Sequence, residues 1–183
     1  MKDHIARRQA YFVSLKKPFR VLEPVEAWKK DFSEALKERK KTLVLEGGTC
    51  LGKTQYIRNL FGADCCCEVH ASSPTGWSLR DFVPLQHKCI LWDEATPQVM
   101  IQNKVLFQCP SVILTLGNSP TANFTYDVWV NDCVMGINSN CWTEQLKEMP
   151  PGDRNWIVGN TVHVVVDSPL WVEEEVVAAA AGA

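Results

Sequence analysis

The sequence predicts an α/β fold in which a central, mainly parallel sheet is flanked by helices. The apolar run Thr42–Glu46 has the pattern of a buried strand, and it is followed by a glycine-rich turn and by helical spacing over Thr54–Phe61. A second apolar strand, His87–Trp92, ends in two acidic residues. Strands that alternate with helices favour a sheet covered by helices. A chain of 183 residues, 46% of them hydrophobic, is large enough to bury such a core.

The other elements of the first half follow from local pattern. An amphipathic helix begins at Pro24, because apolar residues recur after it with helical spacing and charged residues lie opposite them. Its apolar face comprises Val25, Trp28, Phe32, Ala35 and Leu36. Gly62 ends the helix that follows the glycine-rich turn. The pattern then predicts a short strand at Cys67–Ala71 and a short helix or loop at Ser78–Phe82.

The second half is predicted to contain more strands, two helical stretches and a chain break. Helical spacing covers Pro97–Gln108 and Thr143–Met149, and Pro150–Gly152 is expected to break the chain. The predicted strands are Ser111–Leu116, Tyr126–Val130, Cys133–Ile137 and Thr161–Val166. We therefore divide the chain into a basic segment with a flanking helix (residues 1–41), a central domain (42–172) and an acidic, alanine-rich tail (173–183) that is disordered or a frayed helix.

A phosphate-binding loop lies between the first strand and its helix. Residues 47–54 fit the pattern G-x-x-x-x-G-K-[ST]. The loop consists of Gly47, Gly48, Thr49, Cys50, Leu51, Gly52, Lys53 and Thr54. Its glycines let backbone N–H groups turn inward around phosphate oxygens, next to a helix N-terminus. We expect Lys53 on the β- and γ-phosphates and the Thr54 hydroxyl on Mg²⁺, so the predicted ligands are ATP and Mg²⁺ and the predicted fold is a P-loop NTPase.

The acidic pair that ends the second strand supplies the remaining charge for such a site. In Cys89–Glu94, an apolar strand is followed directly by Asp93 and Glu94. We expect Asp93 to contact Mg²⁺, directly or through water, and Glu94 to act as general base or to orient the attacking water. Adjacent acids favour hydrolysis over phosphate transfer, with a small-molecule kinase as the alternative. The loop lacks the G-x-G-x-x-G spacing of a dinucleotide-binding fold.

A polar sensor is expected at the tip of another central strand. Asn118, after Leu114–Gly117, and Asn140, after Val134–Ser139, both follow apolar runs. Asparagine is also a common turn former, so Asn118 has an ordinary explanation. Periodicity alone does not choose between the two asparagines.

The cysteines indicate a reducing environment, either nuclear or cytoplasmic. The chain has eight cysteines, and Cys65, Cys66 and Cys67 are contiguous without a paired C-x-x-C motif. A zinc site built from Cys66, Cys67 and His70 would lack a second ligand pair, which favours apolar packing of the thiols. No apolar run is long enough to cross a bilayer and no signal peptide is evident, so no membrane partner is predicted.

Charge is divided unevenly along the chain. Residues 1–41 contain 12 Lys/Arg and 6 Asp/Glu, a balance of +6, and the remainder contains 7 and 15, a balance of −8. The basic segment could approach nucleic acid, although a solvated helical face explains its lysines equally well.

These motifs, in this order, resemble the superfamily 3 helicase domain of viral replication initiator (Rep) proteins of the geminivirus type and of related circular single-stranded DNA replicons. The resemblance covers Thr42–Trp171. Its parts are Leu43–Thr54 with Tyr56–Leu60 (Walker A), Ile90–Glu94 (Walker B), Gly136–Asn140 (motif C), and a closing segment over Arg154–Asn160, Val162–Val166 and Pro169–Trp171. The Walker motifs are generic, so the motif order and the closing segment carry the specificity.

The resemblance implies an AAA+-like ATPase that moves along single-stranded DNA in the 3′ to 5′ direction as a homo-oligomeric ring. It favours Asn140 over Asn118 as the sensor of the γ-phosphate or attacking water. It also implies that an arginine from a neighbouring subunit completes the site, for which Arg154 is the nearest candidate.

Two departures from the family pattern shape the alternatives. His4 and Tyr11 do not form the metal and tyrosine motifs of a nicking nuclease, so nicking is not predicted. The stretch that matches the basic DNA-binding hairpin, Ala122–Asp127, contains no lysine. The first alternative is therefore a catalytically weak ATP-binding scaffold or inhibitor derived from a Rep gene, and the second is the kinase named above.

Overall fold

The computed structural model describes residues 18–33, 40–73, 76–108, 111–117 and 125–172. The helices are α1 (Glu23–Ser33), α2 (Lys53–Phe61), α3 (Pro97–Gln102), α4 (Lys104–Phe107), α5 (Trp142–Glu148) and α6 (Pro151–Asn160), with a 3-10 turn at Ala63–Cys65. The strands are β1 (Thr42–Gly47), β2 (Cys66–His70), β3 (Cys89–Asp93), β4 (Val112–Gly117), β5 (Thr125–Val130), β6 (Val134–Ser139) and β7 (Thr161–Val166).

A five-stranded sheet with the order β2-β3-β6-β1-β7 forms the centre of the fold. Each neighbouring pair is parallel, so the carboxyl ends of β1, β3 and β6 lie side by side. Gly136 of β6 is paired with Leu43 on one side and Leu91 on the other. A Cβ at Gly136 would lie 3.0 Å from a side-chain carbon of Ile57, so glycine lets α2 pack closely against the middle strand. The predicted α/β architecture is confirmed.

Two hydrophobic cores cover the two faces of this sheet. On one face, Val44, Trp92 and Ile137 pack with residues of α3–α6, including Trp142. On the other face, Leu43, Leu45 and Ile57 pack with the first helix. These buried positions on both faces explain why the run Leu43–Leu45 of β1 and most of Val134–Ile137 of β6 are apolar.

Helix α1 belongs to the second of these cores. Val25 and Trp28 are fully or almost fully buried there, and the Trp28 indole donates to the carbonyl of Lys41 at 2.7 Å. Ala35 and Leu36, which were assigned to its apolar face, lie outside the described residues. The predicted boundary at residue 41 stays a prediction, although the helix before it shares a core with the central domain.

A separate antiparallel hairpin lies between β3 and β6 along the chain. Strands β4 and β5 pair from Val112↔Val130 to Gly117↔Thr125. The Tyr126 hydroxyl accepts a hydrogen bond from the Leu79 amide at 3.0 Å, which ties the hairpin to the loop before β3. Asn118 lies outside the described residues, and so does the first half of the stretch Ala122–Asp127, residues 122–124.

Two local predictions need correction. The helix predicted over Pro97–Gln108 is two helices, α3 and α4, because the chain leaves helical geometry at Asn103. The stretch Ser78–Phe82, predicted as a short helix or loop, is a loop, and the Phe82 amide donates to the Leu79 carbonyl there at 3.1 Å. The break predicted at Pro150–Gly152 ends at Pro150. Helix α5 ends at Glu148, and α6 begins at Pro151, whose missing N–H lies in the first helical turn, where none is needed.

No helix in the described ranges is both long enough and apolar enough to span a bilayer.

Candidate nucleotide-binding site

The phosphate loop, residues 47–54, joins β1 to α2 and borders a cavity of about 330 Å³. Cys50 and Gly52 have positive φ angles of 61° and 83°, which turn the loop back so that α2 begins at Lys53. The cavity lies at the carboxyl ends of the central strands, where the N-terminus of α2 offers unpaired N–H groups to an anion. Its lining consists of Thr49, Cys50, Leu51, Gly52, Lys53, Thr54, Gln55, Asp93, Glu94, Asn138 and Asn140.

Lys53 is the cation of this cavity, and only 7% of its surface is exposed. Its Nζ donates to the carbonyls of Gly47 and Gly48 at 2.7 and 2.6 Å and to Asn140 Oδ1 at 3.0 Å. Burial lowers the pKa of Lys53, while the nearby carboxylates oppose that shift. A buried ammonium held by neutral acceptors is well placed to gain from a phosphate anion, which would stabilise its charged form.

Asn138 connects the phosphate loop to the acidic pair. Its Nδ2 donates to Asp93 Oδ1 at 2.5 Å and to Thr54 Oγ1 at 2.6 Å. Its Oδ1 accepts the backbone N–H of Glu94 at 2.8 Å. Glu94 has a φ of 54°, an uncommon conformation for a residue other than glycine, and this bond helps to hold it there. One amide thus fixes the positions of a threonine, an aspartate and the backbone of a glutamate.

The sequence reasoning missed Asn138 as a site residue. Asn138 lies within motif C, but the family resemblance favours Asn140 as the sensor. Asn138 is 4% exposed within the central strand β6, whereas Asn140 lies one residue beyond that strand and is exposed. The available signal was an asparagine inside an otherwise apolar buried strand, because a buried amide requires partners.

Thr54 and Asp93 supply oxygen atoms that suit Mg²⁺. The Thr54 hydroxyl lies 3.4 Å from Asp93 Oδ1, close enough for both oxygens to contact one small ion. The other oxygen of Asp93 lies 3.4 Å from His70 Nδ1, on the neighbouring strand β2. The donor set therefore fits the expected metal, with Asn138 and His70 orienting its carboxylate.

The suggested zinc ligands do not converge. Cys67 is buried on one face of β2, while Cys66 and His70 lie on the other face, as the alternation of a strand requires. Burial raises the pKa of Cys67 to about 12, which keeps the thiol protonated. A metal needs the thiolate, so the structure favours the apolar packing that was expected for Cys67.

Arg154 lies in α6 and does not line the cavity. Its guanidinium donates to the carbonyls of Lys147 and Met149 at 2.6 and 3.0 Å, at the carboxyl end of α5. Within its own subunit Arg154 therefore caps a helix, and it would have to leave these carbonyls to reach a neighbouring site.

The two chain segments that flank the domain support the phosphate loop from outside. Phe19 and Trp171 form an antiparallel bridge, and the Leu170 amide donates to the carbonyl of Leu51 at 2.9 Å. The Trp171 ring packs so closely on Gly52 that a Cβ there would lie 2.8 Å from it. The loop is thus held on its outer side by an aromatic ring and a backbone hydrogen bond.

Comparison with solved structures finds a protein of similar fold. A closed-state cryo-EM reconstruction of Hsp104 with ATPγS and FITC-casein has a TM-score of 0.50 and 16% identity, over 80% of this chain and 30% of that chain. This chain has the fold of a P-loop NTPase. The P-loop domain spans less than a third of the length of that Hsp104 chain.

Two further solved structures have a more distant likeness to this chain. An S. cerevisiae Hsp104–ADP complex has a TM-score of 0.45 and 16% identity, and the match covers 80% of this chain and 32% of the Hsp104 chain. The apo C-terminal region of NrS-1 has a TM-score of 0.36 and 15% identity, and the match covers 79% of this chain and 44% of the NrS-1 chain. No protein-family model matches the sequence. No curated protein matches it significantly.

Proposed function

We propose that this P-loop domain hydrolyses ATP as a superfamily 3 type helicase domain of a Rep-like replication initiator, and that hydrolysis moves it along single-stranded DNA. The observation that supports hydrolysis is the meeting of Lys53, Thr54, Asp93 and Glu94 in one cavity. The motif order and the closing segment of the sequence support the helicase type.

In this proposal, four side chains of the cavity have distinct roles. Lys53 already lies on the carbonyls of the phosphate loop, from which its Nζ can turn to the β- and γ-phosphates. Thr54 and Asp93 hold Mg²⁺, which supplies positive charge against the phosphate oxygens when it is bound. Glu94 is exposed to the cavity and accepts the proton of the attacking water or orients it.

The two asparagines have separate roles in this proposal. Asn138 is buried beneath the acidic pair and holds it in place. Asn140 is exposed above Lys53 and can meet the γ-phosphate or the attacking water as Lys53 turns toward the nucleotide. Such a division would explain why motif C ends in two asparagines separated by one residue.

The active form in this proposal is a homo-oligomeric ring, in which an arginine from a neighbouring subunit contacts the γ-phosphate. Arg154 remains the candidate for that role. Its bonds to the α5 carbonyls mean that ring assembly would have to release the guanidinium.

One observation favours the scaffold alternative. The outward face of the β4–β5 hairpin carries exposed Ile113 and Trp129, paired across the strands. Beside them Thr115 donates to Asp127 at 2.7 Å, which places a carboxylate on the same face. An apolar and acidic surface does not attract a phosphate backbone, so a domain that binds ATP and assembles without moving on DNA is the second candidate.

Single-strand binding distinguishes these candidates. We would measure the affinity for a fluorescent oligonucleotide at several salt concentrations, with ATP, with ADP and without nucleotide. A helicase should bind more tightly with ATP and lose affinity steeply as salt rises. Nucleotide-dependent oligomers with no DNA affinity in any state would contradict the helicase and leave the scaffold.

A further inference from the structure

Glu46 is a buried carboxylate immediately before the phosphate loop, and the proposed mechanism gives it no role. It is the fifth residue of β1 and is 8% exposed. Its Oε1 accepts the backbone N–H of Thr143 at 2.8 Å, and its Oε2 accepts the Thr143 hydroxyl. The same Oε2 lies 2.8 Å from Nε2 of His163 on β7. One carboxylate therefore joins β1, β7 and α5.

The contact with Thr143 takes the place of a helix cap. Cys141, at the N-cap position of α5, makes no side-chain capping bond. The carboxylate of Glu46 instead accepts an N–H of the first turn, and its negative charge lies at the positive end of the helix. Burial alone would raise the pKa of Glu46. The two hydrogen bonds from Thr143 and the contact with His163 lower it by more, so the net pKa lies below its ordinary value and the carboxyl is ionised.

This capping bond lies close in sequence to Asn140, the proposed sensor. Asn140 is three residues before Thr143, in the short connection between β6 and α5. On the other side, Glu46 adjoins Gly47, whose carbonyl accepts Lys53 Nζ together with Asn140 Oδ1. The start of the phosphate loop and the start of α5 are thus linked twice, once through Lys53 and once through Glu46.

We propose that Glu46 is a positioning residue that holds Asn140 at the distance from the phosphate loop at which it recognises a γ-phosphate. The proposal rests on the nucleotide-binding function proposed above and extends it. A carboxylate can do this because both of its oxygens are used by groups on fixed elements, so the end of β1 and the first turn of α5 move together.

The nucleotide preference tests the proposal without requiring turnover. We would measure the affinities of the chain for ADP and for AMP-PNP, a non-hydrolysable triphosphate analogue. Glu46→Ala should weaken AMP-PNP binding by about 10-fold, as expected for a lost hydrogen bond to a charged group, and change ADP affinity by less than about 2-fold. Asn140→Ala should do the same, and the double variant should be no weaker than either single variant.

A matched variant separates positioning from general damage. Thr161→Val removes a buried hydroxyl that donates to the Ile157 carbonyl at 2.9 Å, away from the loop, so it should lower stability without changing the preference for AMP-PNP. If Glu46→Ala does not fold, Thr143→Val removes only the hydroxyl contact and should shift the preference in the same direction. Equal losses for ADP and AMP-PNP, or additive effects of Glu46→Ala and Asn140→Ala, would overturn the proposal.

An NMR measurement tests the positioning role of Glu46 separately from nucleotide binding. The side-chain amide resonance of Asn140, observed by NMR without nucleotide, should shift in Glu46→Ala or Thr143→Val and stay in place in Thr161→Val. An unmoved Asn140 resonance in the first two variants would overturn the positioning role even in a chain that binds and hydrolyses ATP. A moved resonance in a chain that binds no nucleotide would retain the link between Glu46 and Asn140 and reject the nucleotide function.

Discussion

Asn138 donates its side-chain amide to Asp93 at 2.5 Å and accepts the backbone N–H of the next residue, Glu94, at 2.8 Å. A single buried side chain on β6 therefore fixes both members of the acidic pair at the end of β3. Because β6 lies between β1 and β3, the same amide also reaches Thr54, the last residue of the phosphate loop. The parallel order of three strands brings these groups together, although they are far apart in sequence.

Replacement of Asn138 by alanine should reduce ATP turnover far more than ATP binding. The variant leaves Asp93 with one partner fewer and removes the bond that holds Glu94 at positive φ, so the attacking water loses its orientation. We expect a fall in kcat of about 100-fold, equivalent to roughly 2.7 kcal/mol, with Kd for ATP within a few fold. Steady-state kinetics and equilibrium binding measure the two effects. Unchanged kcat in Asn138→Ala would contradict the role given to this amide.

Gly52→Ala should destabilise the phosphate loop. The new methyl group would lie 2.8 Å from the Trp171 ring, at a φ of 83° that side chains rarely adopt. Strain of this kind costs about 1–3 kcal/mol, and we expect a lower melting temperature with loss of nucleotide binding. Gly159→Ala is the matched control, since its methyl group meets nothing within 4 Å inside α6 and should be neutral or stabilising. Equal melting temperatures for the two variants would contradict this explanation.

The chain should lose stability in acid partly through Glu46. Its folded pKa lies below its ordinary value of 4.5, so its contribution is complete above that value and is lost as pH falls toward and through the lower, folded pKa. Glu46→Gln does not titrate, and its free energy of unfolding should fall less between pH 7 and acid pH than that of the unaltered chain. Urea unfolding at a series of pH values measures the difference. Parallel pH profiles would contradict a lowered pKa.

Cys50 should be the thiol whose modification blocks nucleotide binding. It is exposed on the phosphate loop and lines the cavity, and bound nucleotide should protect it from a maleimide reagent. Burial raises the pKa of Cys67 to about 12 and that of Cys133 to about 11, so both should react only after unfolding. Mass spectrometry of peptides labelled with and without ATP gives the test, with Cys50→Ser as the control. Rapid labelling of Cys67 in the folded chain would contradict the packing described for β2.

Local chemistry made the centre of this fold predictable from sequence. The phosphate loop requires glycine and lysine at set spacings, and a buried parallel strand that ends in two acids places them at the carboxyl edge of the sheet, where such a loop also lies. Gly62 ends α2 with a φ of 86°, as the sequence analysis expected. These features depend on backbone conformation and hydrophobic pattern, which the sequence records directly.

The features of the site that the sequence did not predict depend on tertiary contacts. The importance of Asn138 follows from the adjacency of β3 and β6, and the role of Glu46 follows from the packing of α5 against the end of β1; neither relationship has a local signal. Two consecutive prolines before a glycine predict a break in the chain, and only the helical geometry after Pro151 shows that this residue occupies the first turn of α6.

The most direct test is steady-state ATP hydrolysis with Mg²⁺, with and without single-stranded DNA, for the unaltered chain, Glu94→Gln and the exposed control Glu148→Gln. Turnover that DNA stimulates, that Glu94→Gln abolishes and that Glu148→Gln keeps is the predicted result. Tight ATP binding with no turnover in the unaltered chain would contradict an ATP-driven motor and leave a nucleotide-binding scaffold.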